Sequence, residues 1–319
     1  MAAPVPPDPD RMSADTTDAL ILGGGMTGLT AALWLRGFGL THLILEEFQL
    51  PGGQLHEIHA PIDDYPLALG RDGPRFASLV LEEAGRAELS ILVGSPVVRV
   101  SARTKTVRSG KERFRGRTLL LATGLRRRWL EIPGERKLMG RGVSRSANLD
   151  RERYAGKPVM VIGGGTAAVE DALLCAEVGC DVTLLHRTAK FRARSDYLAR
   201  ARKDPRIKII PNAQARQILG DEAVEEVQYR VRGSGMTRAV RASAVFVRIG
   251  WEPRTELVRG QVGLDRAGYV RVRAGGATTV AGVFAAGDVC SPRWPSIANA
   301  AGQGAASARE MAGFLGRLG

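Results

Sequence analysis

Short apolar runs, each closed by glycine, recur along the chain and organise its reading. Residues 18–23, DALILG, are apolar with few polar interruptions, the pattern of a strand buried on both faces. GGGMTGLTAALWLRG follows and predicts a helix with a glycine-rich first turn. THLILEE then predicts a second strand that ends on an acid. The same order returns after a spacing of 140 residues, counted from Gly23 to Gly163. There KPVMVIG predicts a strand, GGGTAAVEDALLCAEVG a helix and CDVTLLHR a second strand. Further strands are predicted in RTLLLATG at 117–124, SAVFVRIG at 243–250 and TVAGVFAAGD at 279–288. SIANAAGQGAASAREMAGFLGRL predicts a closing helix. Two copies of a strand–helix–strand unit predict an α/β protein with two Rossmann-like, three-layer dinucleotide-binding domains. Residues 1–16 are rich in proline and aspartate and predict a disordered tail, neither signal peptide nor anchor. No apolar run reaches the ~18 residues of a membrane span, so no membrane is expected as a partner.

Composition narrows this little. The chain has 319 residues, two domains of ordinary size, and a globular balance of 44% hydrophobic and 25% charged residues. The formal net charge of +13 has two readings. One is an acidic partner, such as an electron-carrier protein or an anionic cofactor; the other is a surface of solvated arginines. The basic residues do not form runs interleaved with aromatics, which weighs against nucleic acid. The three cysteines, Cys175, Cys180 and Cys290, contain no C-x-x-C pair and are odd in number. That argues against a disulfide framework or a zinc site and fits a reducing cytoplasm. His56-Glu57-Ile58-His59 has H-x-x-H spacing without further ligands, so no metal is expected.

The chemistry lies in the glycine turns. Gly23, Gly25 and Gly28 have G-x-G-x-x-G spacing between a predicted strand and helix. The first glycine permits a tight turn, the second lets a pyrophosphate approach the backbone, and the third lets helix and strand pack closely. Glu46 ends the next strand, 18 residues past Gly28, where an acid accepts hydrogen bonds from a ribose. The second unit carries Gly163 and Gly165, with Ala168 in the third position, a tolerated variant. Its second strand ends in His186-Arg187 instead of an acid, and Arg192 follows. Guanidinium groups suit a 2′-phosphate, which favours NADPH over NADH.

Taken together, the motifs resemble the low-molecular-weight thioredoxin reductase family along nearly all of residues 17–316. The specific pieces are G-G-G-x-x-G-L at 23–29, P-G-G-Q-L at 51–55, L-A-T-G at 121–124, I-P-G-E at 132–135, G-R-G-V-S at 140–144, G-G-G at 163–165, H-R at 186–187, I-G-W-E-P at 249–253 and G-V-F-A-A-G-D-V at 282–289. The resemblance implies an FAD-binding domain formed by residues 17–125 with 255–319, and an inserted NAD(P)-binding domain at 126–254. It assigns Gly23, Gly25, Met26, Thr27, Gly28, Glu46, Gly53, Gln54, Leu55, Asp64, Val97, Ala122, Thr123, Gly124, Gly287 and Asp288 to FAD, with Ile297 against the ring. It assigns Gly163, Gly165, Thr166, Ala167, His186, Arg187, Arg192, Ile249 and Gly250 to the nicotinamide nucleotide. A cytoplasmic homodimer is implied, with domain rotation about hinges near 125–128 and 250–255.

The resemblance breaks at one place. Thioredoxin reductases carry C-A-T-C-D directly after G-V-S, and here the stretch is Ser146-Ala147-Asn148-Leu149-Asp150. Serine and leucine form no thiolate and cannot perform thiol–disulfide exchange. The chain is also similar to thioredoxin-reductase-like ferredoxin–NADP reductases, which lack the pair, although their C-terminal flavin-covering extension is not expected here. It is similar too to bacillithiol disulfide reductases, whose first glycine motif holds a cysteine where this chain has Thr27. Other relatives hold a second flavin in place of the pair. The reading is an FAD-dependent oxidoreductase that accepts hydride from NADPH; Thr188 and Ala189 replace the usual arginine and aspartate and weaken the phosphate seat, which keeps NADH as a possible donor. Its acceptor is a second flavin, an electron-carrier protein, a small disulfide or a quinone. The alternatives are a flavin-binding redox sensor without turnover, and a ferredoxin- or flavodoxin–NADP reductase-like protein. Cys290 reads as a packed residue, with a reactive thiol as the alternative. Trp294 reads equally as a stacking platform or a loop anchor.

Overall fold

In the computed structural model, residues 16–290 and 295–318 are described; the expected tail up to Asp15, and Trp294, lie outside the described residues. The chain forms two units, Met1–Arg126 with Glu252–Gly319, and Arg127–Trp251. In chain order the first part supplies β1 (Thr17–Leu22), α1 (Met26–Gly37), β2 (His42–Leu45), α2 (Gly73–Arg86), β3 (Ile91–Leu92), β4 (Val97–Ser101), β5 (Thr106–Ser109), β6 (Glu112–Leu121) and β7 (Leu125–Arg127). Next come β8 (Val143–Ser144), α3 (Ala147–Asp150), β9 (Pro158–Gly163), α4 (Thr166–Glu177), β10 (Asp181–Leu185), α5 (Ser195–Lys203) and β11 (Ile207–Ile210). β12 (Ala213–Leu219), β13 (Glu226–Val231), β14 (Thr237–Arg241) and β15 (Ala244–Arg248) complete the second unit. β16 (Trp251–Pro253), β17 (Val283–Ala285) and α6 (Ile297–Phe314) close the chain.

In the first unit β3, β2, β1, β6 and β17 lie parallel in that order. The amino-terminal part of β6 instead pairs antiparallel with β5, which pairs with β4. Side chains alternate across the sheet. Ala19, Ile21 and Leu120 share one apolar cluster with residues of α1 and α6, while Leu20, Leu22, Leu119 and Leu121 belong to another. Both faces are covered, so the strands read as continuous apolar runs. Each fully buried leucine or isoleucine contributes about 1.5–3 kcal/mol.

The second unit repeats the plan with all-parallel order β11-β10-β9-β15-β8. Val159, Val161 and Phe246 cluster with α4, whereas Met160, Ile162, Val245 and Val247 cluster with Ala213, Ile218, Val227 and Tyr229 of the meander. The third layer here is the antiparallel sheet β12-β13-β14. The fold is thus α/β with two Rossmann-like three-layer domains. The I-P-G-E segment anchors the second unit's entry. Glu135 is buried and accepts hydrogen bonds from the Leu130 and Glu131 N–H groups, both at 2.9 Å.

Small residues set how closely α1 and α6 approach. A Cβ added at Gly304 would collide with the Thr27 carbonyl. Gly304→Ala is therefore expected to lower stability by about 1–3 kcal/mol through overpacking, measured as a lower urea midpoint with unchanged slope.

Candidate functional site

The turn from β1 into α1 crosses the carboxyl end of β6. Gly23 has φ +107°, and a Cβ there would collide with the Ala122 carbonyl, so only glycine fits. A Cβ at Gly28 would collide with the Gly23 carbonyl and lie 3.2 Å from the Ile21 side chain, so this glycine sets the crossing of α1 over β1. Gly25 differs from both. The nearest neighbour of its Cβ would be Gly53 Cα at 4.0 Å, so the backbone is open to close approach. Gly25 is also the N-cap of α1, and no side chain caps it. The first-turn N–H groups and the helix dipole therefore favour an anion at this point. These features fit the pyrophosphate of a dinucleotide such as FAD.

Glu46 is buried beside the same turn. Its Oε2 accepts from the Gly24 N–H at 2.6 Å and its Oε1 from the Phe48 N–H at 3.0 Å. Each carboxylate oxygen keeps a further lone pair for a ribose hydroxyl. The Gly52 N–H donates to the Gly24 carbonyl at 2.8 Å, which lays residues 51–54 along the turn. Gln54 Nε2 donates to Asp288 Oδ2 at 3.1 Å, across 234 residues of sequence. A Cβ on Gly124 would lie 3.3 Å from the same Gln54 nitrogen, so Gln54, Gly124 and Asp288 are neighbours. Burial raises the Asp288 carboxyl above its ordinary range, and the Gln54 bond opposes this. Thr123 Oγ1 donates to the Arg254 carbonyl at 2.8 Å. Thr27 is buried against Gly287, and Met26 packs on the cluster of Leu55 and Ile297.

Sequence reading missed Gln303. Its Oε1 accepts from the Gly287 N–H at 2.7 Å and its Nε2 donates to Asn299 Oδ1 at 3.2 Å. The available signal was a pair of carboxamides, Asn299 and Gln303, one turn apart in a helix rich in alanine, glycine and serine. Two assigned residues are not gathered with the rest. Asp64 is exposed and shares no hydrogen bond with these groups. Val97 opens β4 and packs with the cluster of Leu20 and Leu22.

The second turn repeats the arrangement. A Cβ at Gly163 would collide with the Arg248 carbonyl and lie 2.7 Å from Ala168 Cβ. Gly165 has no heavy atom within 4 Å of its added Cβ and is the uncapped N-cap of α4, which starts with Thr166 and Ala167. Thr166 Oγ1 accepts from the Arg194 N–H at 3.1 Å. His186 is buried, and its ring lies where a Cβ on Gly164 would stand. Its Nε2 is 2.8 Å from Thr188 Oγ1 and 3.2 Å from the Lys190 carbonyl. Burial lowers the His186 pKa, so the ring is a neutral floor for the glycine turn. Gly164, the middle of three consecutive glycines, is the residue this floor requires. The Arg192 N–H donates to the Gly164 carbonyl at 2.8 Å, which fixes that residue beside the turn. Arg187 and Arg192 are exposed, and neither is paired with a carboxylate among the described residues. Ile249 and Gly250 follow β15, and the Gly250 carbonyl accepts from the Arg128 N–H at 3.1 Å. An open central glycine, an uncapped helix and two cations suit a phosphorylated dinucleotide.

None of the cysteines lies in an activating environment. Cys175 and Cys180 are buried, and burial raises both thiols. Burial pushes Cys290 up to about 12, with Asp288 adding to the effect. A thiol in this state is a poor nucleophile at neutral pH. Ser146 is buried, while Leu149 is 56% exposed. His56 Nε2 lies 2.8 Å from the Pro51 carbonyl. Among the described residues no cluster of three or more His, Cys, Asp or Glu side chains is placed to hold a metal. No helix among them is long and apolar enough to cross a membrane. Cys290→Ser is expected to leave nucleotide oxidation within about twofold of wild type, and iodoacetamide labelling of Cys290 is expected to stay slow up to about pH 9.

The family described as pyridine nucleotide-disulphide oxidoreductase matches residues 17–304. A thioredoxin reductase of Mycolicibacterium smegmatis is 36% identical over 301 residues, covering 93% of this chain and 96% of that protein. An NADH dehydrogenase of Bacillus subtilis is 30% identical over 295 residues, covering 91% of this chain and 57% of that protein. The crystal structure of Lactococcus lactis thioredoxin reductase in its FR conformation has a TM-score of 0.80 at 30% identity, covering 95% of this chain and 100% of that one. With the family matched from the first strand into the last helix, and a glycine-turn site in each of two sheets, the chain belongs to the pyridine nucleotide-disulphide oxidoreductases and is built like thioredoxin reductase.

Proposed function

We propose that this protein is an FAD-dependent oxidoreductase that accepts hydride from NADPH and passes the electrons on without a dithiol of its own. The carrying observation is the pair of uncapped glycine turns, each with open space over its central glycine. Bound flavin supplies the two-electron chemistry. The chain's residues bind and orient. Gly25 and the first turn of α1 hold the FAD pyrophosphate, and Glu46 accepts from its ribose. Gln54 orients the Asp288 carboxylate toward the remainder of the cofactor. Gly165 and the first turn of α4 hold the NADPH pyrophosphate, while Arg187 and Arg192 take its 2′-phosphate.

The absence of a relay rests on Ser146 and Leu149, which stand where the resemblance places the two thiols, and on the desolvation that raises all three cysteine thiols. Of the relatives' names, thioredoxin reductase states an acceptor and NADH dehydrogenase states only a donor, so family membership leaves the acceptor open. Charge favours an acidic electron-carrier protein. The second unit holds 24 Lys and Arg against 14 Asp and Glu, a net of +10, whereas the first holds 22 against 19, a net of +3. A second flavin, a small disulfide or a quinone are the other acceptors to test. A homodimer through the first unit is supported by its exposed Leu33, Trp34, Phe48, Leu50, Leu67 and Leu69.

The test is anaerobic titration of the purified protein with NADPH and separately NADH, following the flavin absorbance and the flavin content per chain. Bleaching by NADPH at lower concentration than by NADH is expected. Bleaching by neither would sink the reading, and two flavins per chain would name the acceptor. Arg187→Gln with Arg192→Gln is expected to weaken NADPH about tenfold to a hundredfold by loss of charge-assisted bonds, leaving NADH unchanged.

A further inference from the structure

Next to the second glycine turn lies a buried ion pair with no role in the function proposed above. Asp171, in the second turn of α4, is fully buried. Its Oδ2 lies 3.1 Å from Arg248 Nε and accepts the Ala147 N–H at 3.2 Å. Arg248, the last residue of β15, donates from Nη1 to the Arg145 carbonyl at 2.8 Å. The two side chains thus grip the backbone on both sides of Ser146. The rest of the turn is tied as well: Ser144 Oγ donates to Asp150 Oδ2 at 2.7 Å and accepts the Ser146 N–H at 3.2 Å. Asp171 Oδ1 is buried without a hydrogen-bond partner. Well-packed apolar residues in place of such a pair are often as stable or more so. What the pair provides is therefore a defined position for residues 145–147.

The sheet gives that position a use. In the order β11-β10-β9-β15-β8 the winding reverses between β9 and β15. Dinucleotides lie across the carboxyl ends of the strands at such a reversal. The turn holding Arg187 and Arg192 follows β10, on one side. Residues 145–147 follow β8 and residues 249–250 follow β15, on the other. A nucleotide with its 2′-phosphate over β10 therefore extends its nicotinamide half over β15 and β8.

We propose that Asp171 and Arg248 are positioning residues for hydride transfer, acting through the backbone of Arg145–Ala147 to hold the wall along which the nicotinamide half lies. This rests on the NADPH reading above. Arg248 from β15, Arg127 from β7, and Glu170 and Cys175 from α4 are the charged and titratable groups around Asp171. Burial pushes the Asp171 carboxyl up to about 6, so the ion pair is made above that pH and lost as pH falls through it.

The experiment uses the FAD-loaded protein and the double variant Asp171→Leu/Arg248→Met, which leaves neither charge buried alone. Stopped-flow flavin reduction by NADPH is followed from about pH 8 to about pH 5. Binding of 2′,5′-ADP, which carries only the adenosine half, is measured alongside, with thermal unfolding and amide hydrogen exchange at residues 145–148. In wild type the limiting rate is expected to fall through about pH 6. In the variant it is expected to be about tenfold to a hundredfold lower at neutral pH, without that step. Affinity for 2′,5′-ADP is expected to stay within about twofold, and exchange at Ala147 to rise about tenfold or more with global stability retained. An unchanged rate, or a loss of 2′,5′-ADP binding in parallel with the rate, would overturn the inference. If NADPH fails to reduce wild-type flavin, the functional reading falls, and unchanged exchange at Ala147 would then overturn the clamp independently.

Discussion

The molecule depends on one repeated constraint, the close approach of a glycine turn to the carbonyl at the end of a neighbouring parallel strand. Gly23 meets the Ala122 carbonyl and Gly163 meets the Arg248 carbonyl, both closer than any side chain permits. That approach lets the following helix start over the sheet edge with its first N–H groups uncapped. The central glycines, Gly25 and Gly165, then stand open. Two dinucleotide sites in one chain follow from one backbone device used twice.

Around this device the polar side chains do local work. Glu46 and Glu135 each spend both carboxylate oxygens on backbone N–H groups and so fix loops. His186 serves as a neutral floor, and Gln54 and Gln303 orient Asp288 and Gly287 from opposite ends of the chain. Arg254 pairs with Glu47 next to these residues. The Asp171–Arg248 pair belongs with them in kind, since it places backbone and leaves one carboxylate oxygen unsatisfied to do so. Electrostatics beyond these pairs is uneven, with most of the positive excess on the unit whose proposed ligand and partner are anionic.

The sequence by itself determined the two strand–helix–strand units, because a strand buried on both faces can only be apolar and a tight turn under a carbonyl can only be glycine. It also determined that no C-x-x-C pair is present, since that is a matter of identity alone. Other elements carried no such mark. The meander β12-β13-β14 escaped because a bulge between Ala215 and Gln217 breaks the alternation of β12, and β14 is exposed at four of its five positions. The run TVAGVFAAGD forms a strand only at Val283–Ala285, where β6 is available to pair with it. Only the tertiary structure decided which residues meet. Gln54 reaches Asp288, Gln303 reaches Gly287, and Asp171 reaches Arg248 and Ala147, each across a gap in sequence that the topology closes. A side chain's partner depends on which strand ends lie side by side, and local pattern along a single chain does not contain that order.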